Sequence, residues 1–202
     1  MIVLALDFAR DVSGTIVYAQ SAPSFCDIFT KKFGRTTEIN MDQDDEVSGS
    51  QTGIFVAAGR DRGYGQRKVL GNLKIDFKVL SQETNGALLV IENVSRGKGG
   101  PPRHVHFAQE EWFYAVESEF IVEVGDERYR LQPGDSILAP RSVPHVWAHV
   151  GDEIGRLLIA FQPAGAMEAF FDKMAEMTGP PTMESLKMLF QAHGMEVVGP
   201  PL

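Results

Sequence analysis

The chain has 202 residues, 44% of them hydrophobic and 23% charged, which supplies one sizeable core and excludes a disordered or collagen-like chain. A net charge of −8 works against phosphate backbones and anionic lipid surfaces, so neither nucleic acid nor a membrane is expected as a partner. Of the five histidines, His104, His106, His145 and His149 crowd one stretch and only His193 lies outside it.

Residues 1–52 show no sustained periodicity and include the acidic, polar stretch 41–50, so they read as an N-terminal extension or linker of uncertain order. The apolar start is broken by Asp7 and has no basic segment before it, although residues 19–22 have the small side chains of a cleavage site. A cytoplasmic protein is expected, with export as the alternative. Cys26, the single cysteine, can form no internal disulfide. No apolar run reaches the roughly 18 residues that span a bilayer.

From Ile54 onward short segments alternate with period two. In the clearest, Leu73, Ile75, Phe77 and Val79 are apolar against Lys74, Asp76 and Lys78, the pattern of a half-buried strand. Further strands are expected over 87–94, 103–106, 111–116, 119–124, 128–131, 136–139, 144–150 and 156–161. Gly125-Asp126 separates two of them and suits a hairpin turn that needs positive φ. Many short strands divided by Gly and Pro predict an all-β sandwich or barrel. After Pro163 the period lengthens. Met167, Phe170, Phe171 and Met174 recur at helical spacing, and Leu186, Met188, Leu189 and Phe190 crowd a second stretch beyond the breaker Gly179-Pro-Pro181. Two C-terminal helices are expected, packed on the outside of the barrel or in a subunit interface. The division is an extension over 1–52, a β-barrel over 53–163 and a helical segment over 164–202 packed on the barrel.

His104 and His106 occupy alternate positions of a strand, so both imidazoles leave the same face. On alternation alone the pair reads equally well as ligands or as two solvent-facing histidines. Glu111 opens the next apolar run and His145 begins a later strand. Three neutral imidazoles and one carboxylate suit a borderline divalent metal and leave coordination positions open.

The spacing of these residues resembles the cupin family. The first cupin pattern, G-x5-H-x-H-x(3,4)-E-x6-G, falls on Lys98, His104, His106, Glu111 and Ser118, with Lys and Ser where the pattern has glycine. The second, G-x5-P-x-G-x2-H-x3-N, falls on Gly134, Pro140, Ser142, His145 and His149, with Ser142 replacing a glycine and His149 the asparagine. Fifteen residues lie between Ser118 and Gly134, similar to the short spacing of compact microbial cupins. The resemblance covers residues 54–163, and residues 194–202 are similar to the tail of small single-domain cupins of the quercetin dioxygenase kind. It implies a double-stranded β-helix, or jelly-roll, barrel with His104, His106, Glu111 and His145 as ligands of one divalent transition metal per chain, whether Fe, Mn, Ni, Cu, Co or Zn. Glu110 competes with Glu111 under the shorter spacing. The family's habits, with the Met- and Phe-rich helical faces, predict a homodimer.

If His145 points inward, alternation sends Trp147 and His149 the same way; if Glu111 does, so does Phe113, and Val122 belongs to the neighbouring strand. The pocket expected is apolar and suited to a small organic molecule. His149 is either a strand histidine satisfied by backbone or water, or a support for the centre or a proton relay. The resemblance implies a dioxygenase acting on a small aromatic or enolisable substrate, with Glu111 accepting or holding its proton. The alternatives are a metal-assisted isomerase, decarboxylase or lyase, and a non-catalytic binding module, because a fold does not fix an activity.

Overall fold

The computed structural model describes residues 52–62, 67–69, 73–177 and 179–202. The expected extension over 1–52 therefore lies outside the described residues except for Thr52, as do residues 19–22 and Cys26. The strands are β1 (Arg67–Val69), β2 (Leu73–Val79), β3 (Leu89–Ser95), β4 (His104–His106), β5 (Glu110–Glu117), β6 (Phe120–Val124), β7 (Glu127–Leu131), β8 (Ser136–Ala139), β9 (His145–His149) and β10 (Gly155–Gln162). Helix α1 (Met167–Ala175), helix α2 (Met183–Ala192) and a last strand, β11 (Met195–Val197), follow.

The strands form two antiparallel sheets, one in the order β1-β2-β3-β10-β5-β8 and the other β11-β4-β9-β6-β7. With two helices added, this is the jelly-roll barrel that the family resemblance implies, within the sandwich-or-barrel class that the alternation predicts. In β10, Leu157, Ile159 and Phe161 are buried while Arg156, Leu158 and Ala160 between them are only half-buried, so one face of the strand is the core face. Phe77, Leu89, Ile91, Phe113, Phe120 and Val122 join them between the sheets. Each such side chain contributes roughly 1.5–3 kcal/mol by leaving water. Gly125 takes φ +59° in the turn that sets Val124 opposite Glu127, as the hairpin requires.

Two strands are absent from the expected set, β1 and β11. Each has only three residues.

The helices turn their apolar faces toward the barrel core. Met167, Phe170, Phe171 and Met174 of α1 and Leu186 and Phe190 of α2 are buried against the barrel interior. The Phe171 ring meets Phe77 at 6.1 Å and Phe161 at 6.0 Å, and Phe190 meets Phe170 at 4.9 Å. Most of these apolar positions are thus covered within the chain, whereas Met188 stays 59% exposed. Thr182 caps α2 by accepting a hydrogen bond from the Ser185 amide at 3.1 Å. No helix among the described residues is long and apolar enough to cross a membrane.

Candidate metal centre

β4 presents His104 and His106 on one face, and β9 brings His145 directly opposite His104 in the same sheet. Glu111 comes from β5 in the other sheet, where it lies in register with Phe161 and Ala139. The centre therefore spans the barrel interior from sheet to sheet. All four residues are buried, and one potential ligand atom from each lies within 4.8 Å of the others. Glu111 Oε2 is 2.8 Å from His145 Nε2, 3.1 Å from His106 Nε2 and 3.8 Å from His104 Nε2.

The far side of each ring sets its tautomer. His104 Nδ1 lies 2.8 Å from the Pro102 carbonyl and His145 Nδ1 lies 3.1 Å from the Val143 carbonyl. A carbonyl only accepts, so both Nδ1 atoms donate. His106 reaches the same state in two steps. The Gln109 amide nitrogen donates to the carbonyls of Pro163 at 2.9 Å and Ala164 at 2.7 Å, which turns its Oε1 toward His106 Nδ1 at 3.1 Å. With its Nδ1 donating to that oxygen, each ring keeps a lone pair on Nε2. Gly165 makes the arrangement feasible, because a Cβ there would fall 2.6 Å from Gln109 Nε2.

Three imidazole lone pairs and a carboxylate aimed at one point repel unless positive charge lies among them. Although burial raises the cost of charging Glu111, the three imidazoles gathered around it hold its carboxyl well below the usual range, so it is ionised. Burial pushes His104 below the ordinary imidazole value, while for His106 burial is outweighed by the adjacent Glu111 and the pKa rises. His106 Nε2 is buried with no hydrogen-bond partner despite its proximity to Glu111, so its lone pair is committed to nothing else. This donor set fits a borderline divalent cation such as zinc, nickel, copper or iron.

Glu110, the competing carboxylate, points outward into a two-pronged ion pair with Arg141, one contact of which is 2.6 Å. Trp147 lines the cavity beside His104, His106 and Glu111. Phe113 packs its ring 6.1 Å from His145 and Val122 is buried in the core, but neither lines that cavity. His149 is held by the Ser118 hydroxyl at 3.0 Å and the Gly97 carbonyl at 3.0 Å, and it packs on Phe120, apart from the centre. A Cβ at Gly155 would lie 2.5 Å from the His149 ring, so the strand opposite is also fitted to it.

Ser118 and Ser142, which stand where the motifs have glycine, take φ +68° and +63°. The left-handed backbone of the pattern is kept although its usual residue is not. Cavity residues that sequence reasoning misses are Asn93 on β3 and the helical Met167, Phe170 and Phe190. Asn93 carries a readable signal, an amide at the inward parity of an apolar strand.

Residues 90–161 match the family model described as Cupin domain. No curated protein matches the chain. Among solved structures, KdgF from Halomonas sp. is 25% identical, with 55% of this chain and 94% of that chain covered at a TM-score of 0.47. An RmlC-like cupin from Shewanella frigidimarina is 26% identical over 54% of this chain and 93% of that chain, with a TM-score of 0.43. The matched residues run from β3 to β10 and include all four members of the cluster, so the part of the chain that carries the centre is the part that matches a cupin domain.

Proposed function

We propose that the protein is a metal-dependent dioxygenase acting on a small aromatic or enolisable organic substrate, similar to the quercetin dioxygenases that its sequence resembles. The observation that carries this reading is the convergence of three imidazole Nε2 atoms and one carboxylate oxygen beside an apolar cavity. His104, His106, Glu111 and His145 would hold one divalent transition metal, which supplies Lewis acidity and, when redox-active, a route for electrons to dioxygen.

The chain's own residues do the rest. Pro102, Gln109 and Val143 hold the three rings by their Nδ1 atoms and so keep each Nε2 turned inward. Glu111 is the one carboxylate among the described cavity-lining residues, and its carboxylate would take the hydroxyl proton of an enol or phenol. Trp147, Phe161, Phe170 and Phe190 wall the cavity and exclude bulk water from a bound substrate.

Metal-loaded protein is expected to consume oxygen with a flavonoid, a catechol or a diketone, and to lose that uptake in His104→Ala and His145→Ala. No uptake across such a panel, by protein whose metal content is verified by elemental analysis, overturns the reading. A second reading, isomerisation, decarboxylation or lyase chemistry, is favoured by the equal fit of this donor set to zinc. Anaerobic turnover by the zinc form would establish it.

A further inference from the structure

Asn93 lies at the cavity's other polar position. It is fully buried at 0% exposure and lines the same cavity as His104, His106 and Glu111. Alternation along β3 places it on the inward face with Leu89 and Ile91. Its cross-strand neighbours are Ile75 on β2 and Leu157 on β10, both aliphatic. The amide nitrogen donates to Ser95 Oγ at 3.0 Å, and Oδ1 has no hydrogen-bond partner. A hydroxyl both donates and accepts, so in either amide orientation Ser95 satisfies one end and the other is left over. Buried polar groups are almost always paired, and an exception inside a binding cavity points to a partner that the protein does not itself supply.

The rest of the lining narrows the class of that partner. Among the described residues no lysine or arginine lines the cavity, so an anionic group held away from the metal cluster would find no counter-charge there. Apart from the metal cluster and Asn93 the walls are hydrophobic, so a polyhydroxylated sugar would bury most of its hydroxyls unpaired.

We propose that Asn93 is the specificity-determining contact of this cavity, and that the molecule bound is a neutral, apolar-bodied compound with one metal-binding oxygen and a separate hydroxyl for the Asn93 amide, as in a hydroxylated aromatic. This deepens the metal-enzyme reading and rests on it. The hydroxyl is recognised by hydrogen bonding rather than by charge, and an analogue lacking it leaves the amide buried and unpaired.

The test uses the full-length chain loaded with zinc, so that binding is read without turnover, and titrates phenol, catechol, resorcinol and hydroquinone by calorimetry. At least one dihydroxybenzene is expected to bind about tenfold or more tightly than phenol. Asn93→Leu, close in size to asparagine, is expected to remove that preference while phenol affinity and zinc stoichiometry stay as in the parent. Its melting temperature, read without ligand, is expected to equal or exceed the parent's, because a leftover amide end is replaced by a methyl group. Asn93→Ala serves as a second variant with the same expected loss of preference.

A preference that survives both substitutions overturns the proposal. So does zinc-loaded protein that binds none of the dihydroxybenzenes more tightly than phenol, and so does a marked fall in the melting temperature of Asn93→Leu, which would make the amide a structural group. Absence of bound zinc on the same samples would instead overturn the metal-centre reading beneath it.

Discussion

Gln109 sits one bond beyond the centre and shows how a neutral amide can specify a ligand. Its two donated hydrogen bonds to Pro163 and Ala164 leave the carbonyl end as the only group that can face His106, and that fixes which imidazole nitrogen carries the proton. Partners of this kind typically support metal affinity by about 10–100-fold. Gln109→Leu is therefore expected to weaken zinc or nickel binding by roughly that factor, measured by competition with a chelating dye, while the ring remains in place. An unchanged affinity would show that packing alone orients His106. The serines at 118 and 142 teach a related lesson at the backbone, since a left-handed residue without glycine costs about 1–2 kcal/mol and must be held by its surroundings. Ser142 donates its amide to the His106 carbonyl at 2.7 Å, which ties that strained turn to a strand of the centre.

Among the elements, β2, β3 and β10 share an outer face where Glu92 is gripped by Lys78 at 2.9 Å and Arg156 at 3.1 Å. Burial opposes ionisation of Glu92, but hydrogen bonds from these two cations outweigh it and depress its pKa. A depressed carboxyl contributes stability that is present above its unfolded value of about 4.3 and is lost as pH falls through the folded value. Glu92→Gln is accordingly expected to lower the urea midpoint at pH 7 and to converge on the parent near pH 3. A deficit equal at both values would assign the loss to packing rather than charge.

Legibility in the sequence also divides by element. β2 and β8 have the expected limits and β3, β5, β9 and β10 differ from expectation by two residues or fewer at each end, because each has enough alternating positions to declare a face. His104, His106, Glu111 and His145 are readable because ligand spacing survives in one dimension. The destination of α1 and α2 is not, since an amphipathic face announces that it is covered without saying by what. Gln109 leaves no trace, being one of four unspecified residues between His106 and Glu111.

At the scale of the whole molecule the centre joins two sheets that also share an apolar core. A cation held by both would act as a cross-brace that the unfolded chain lacks, adding about 2.7 kcal/mol at a free concentration 100 times Kd. Thermal unfolding is expected to shift upward with zinc or nickel, to return with a chelator, and to stay unmoved by metal in His104→Ala. A metal-induced shift that persists in that variant would place the bound ion elsewhere.

The pairing of β11 with β4, Met195 against His106 and Val197 against His104, has a consequence in time. β11 and the Phe190 ring that lies 5.2 Å from His104 are both translated after every barrel strand they meet. A nascent chain that already holds β2 to β10 outside the ribosome would still lack one neighbour of the histidine strand and part of the cavity wall. Maturation of the pocket then follows synthesis of residues 183–197, and until those residues emerge the imidazoles face solvent on that side.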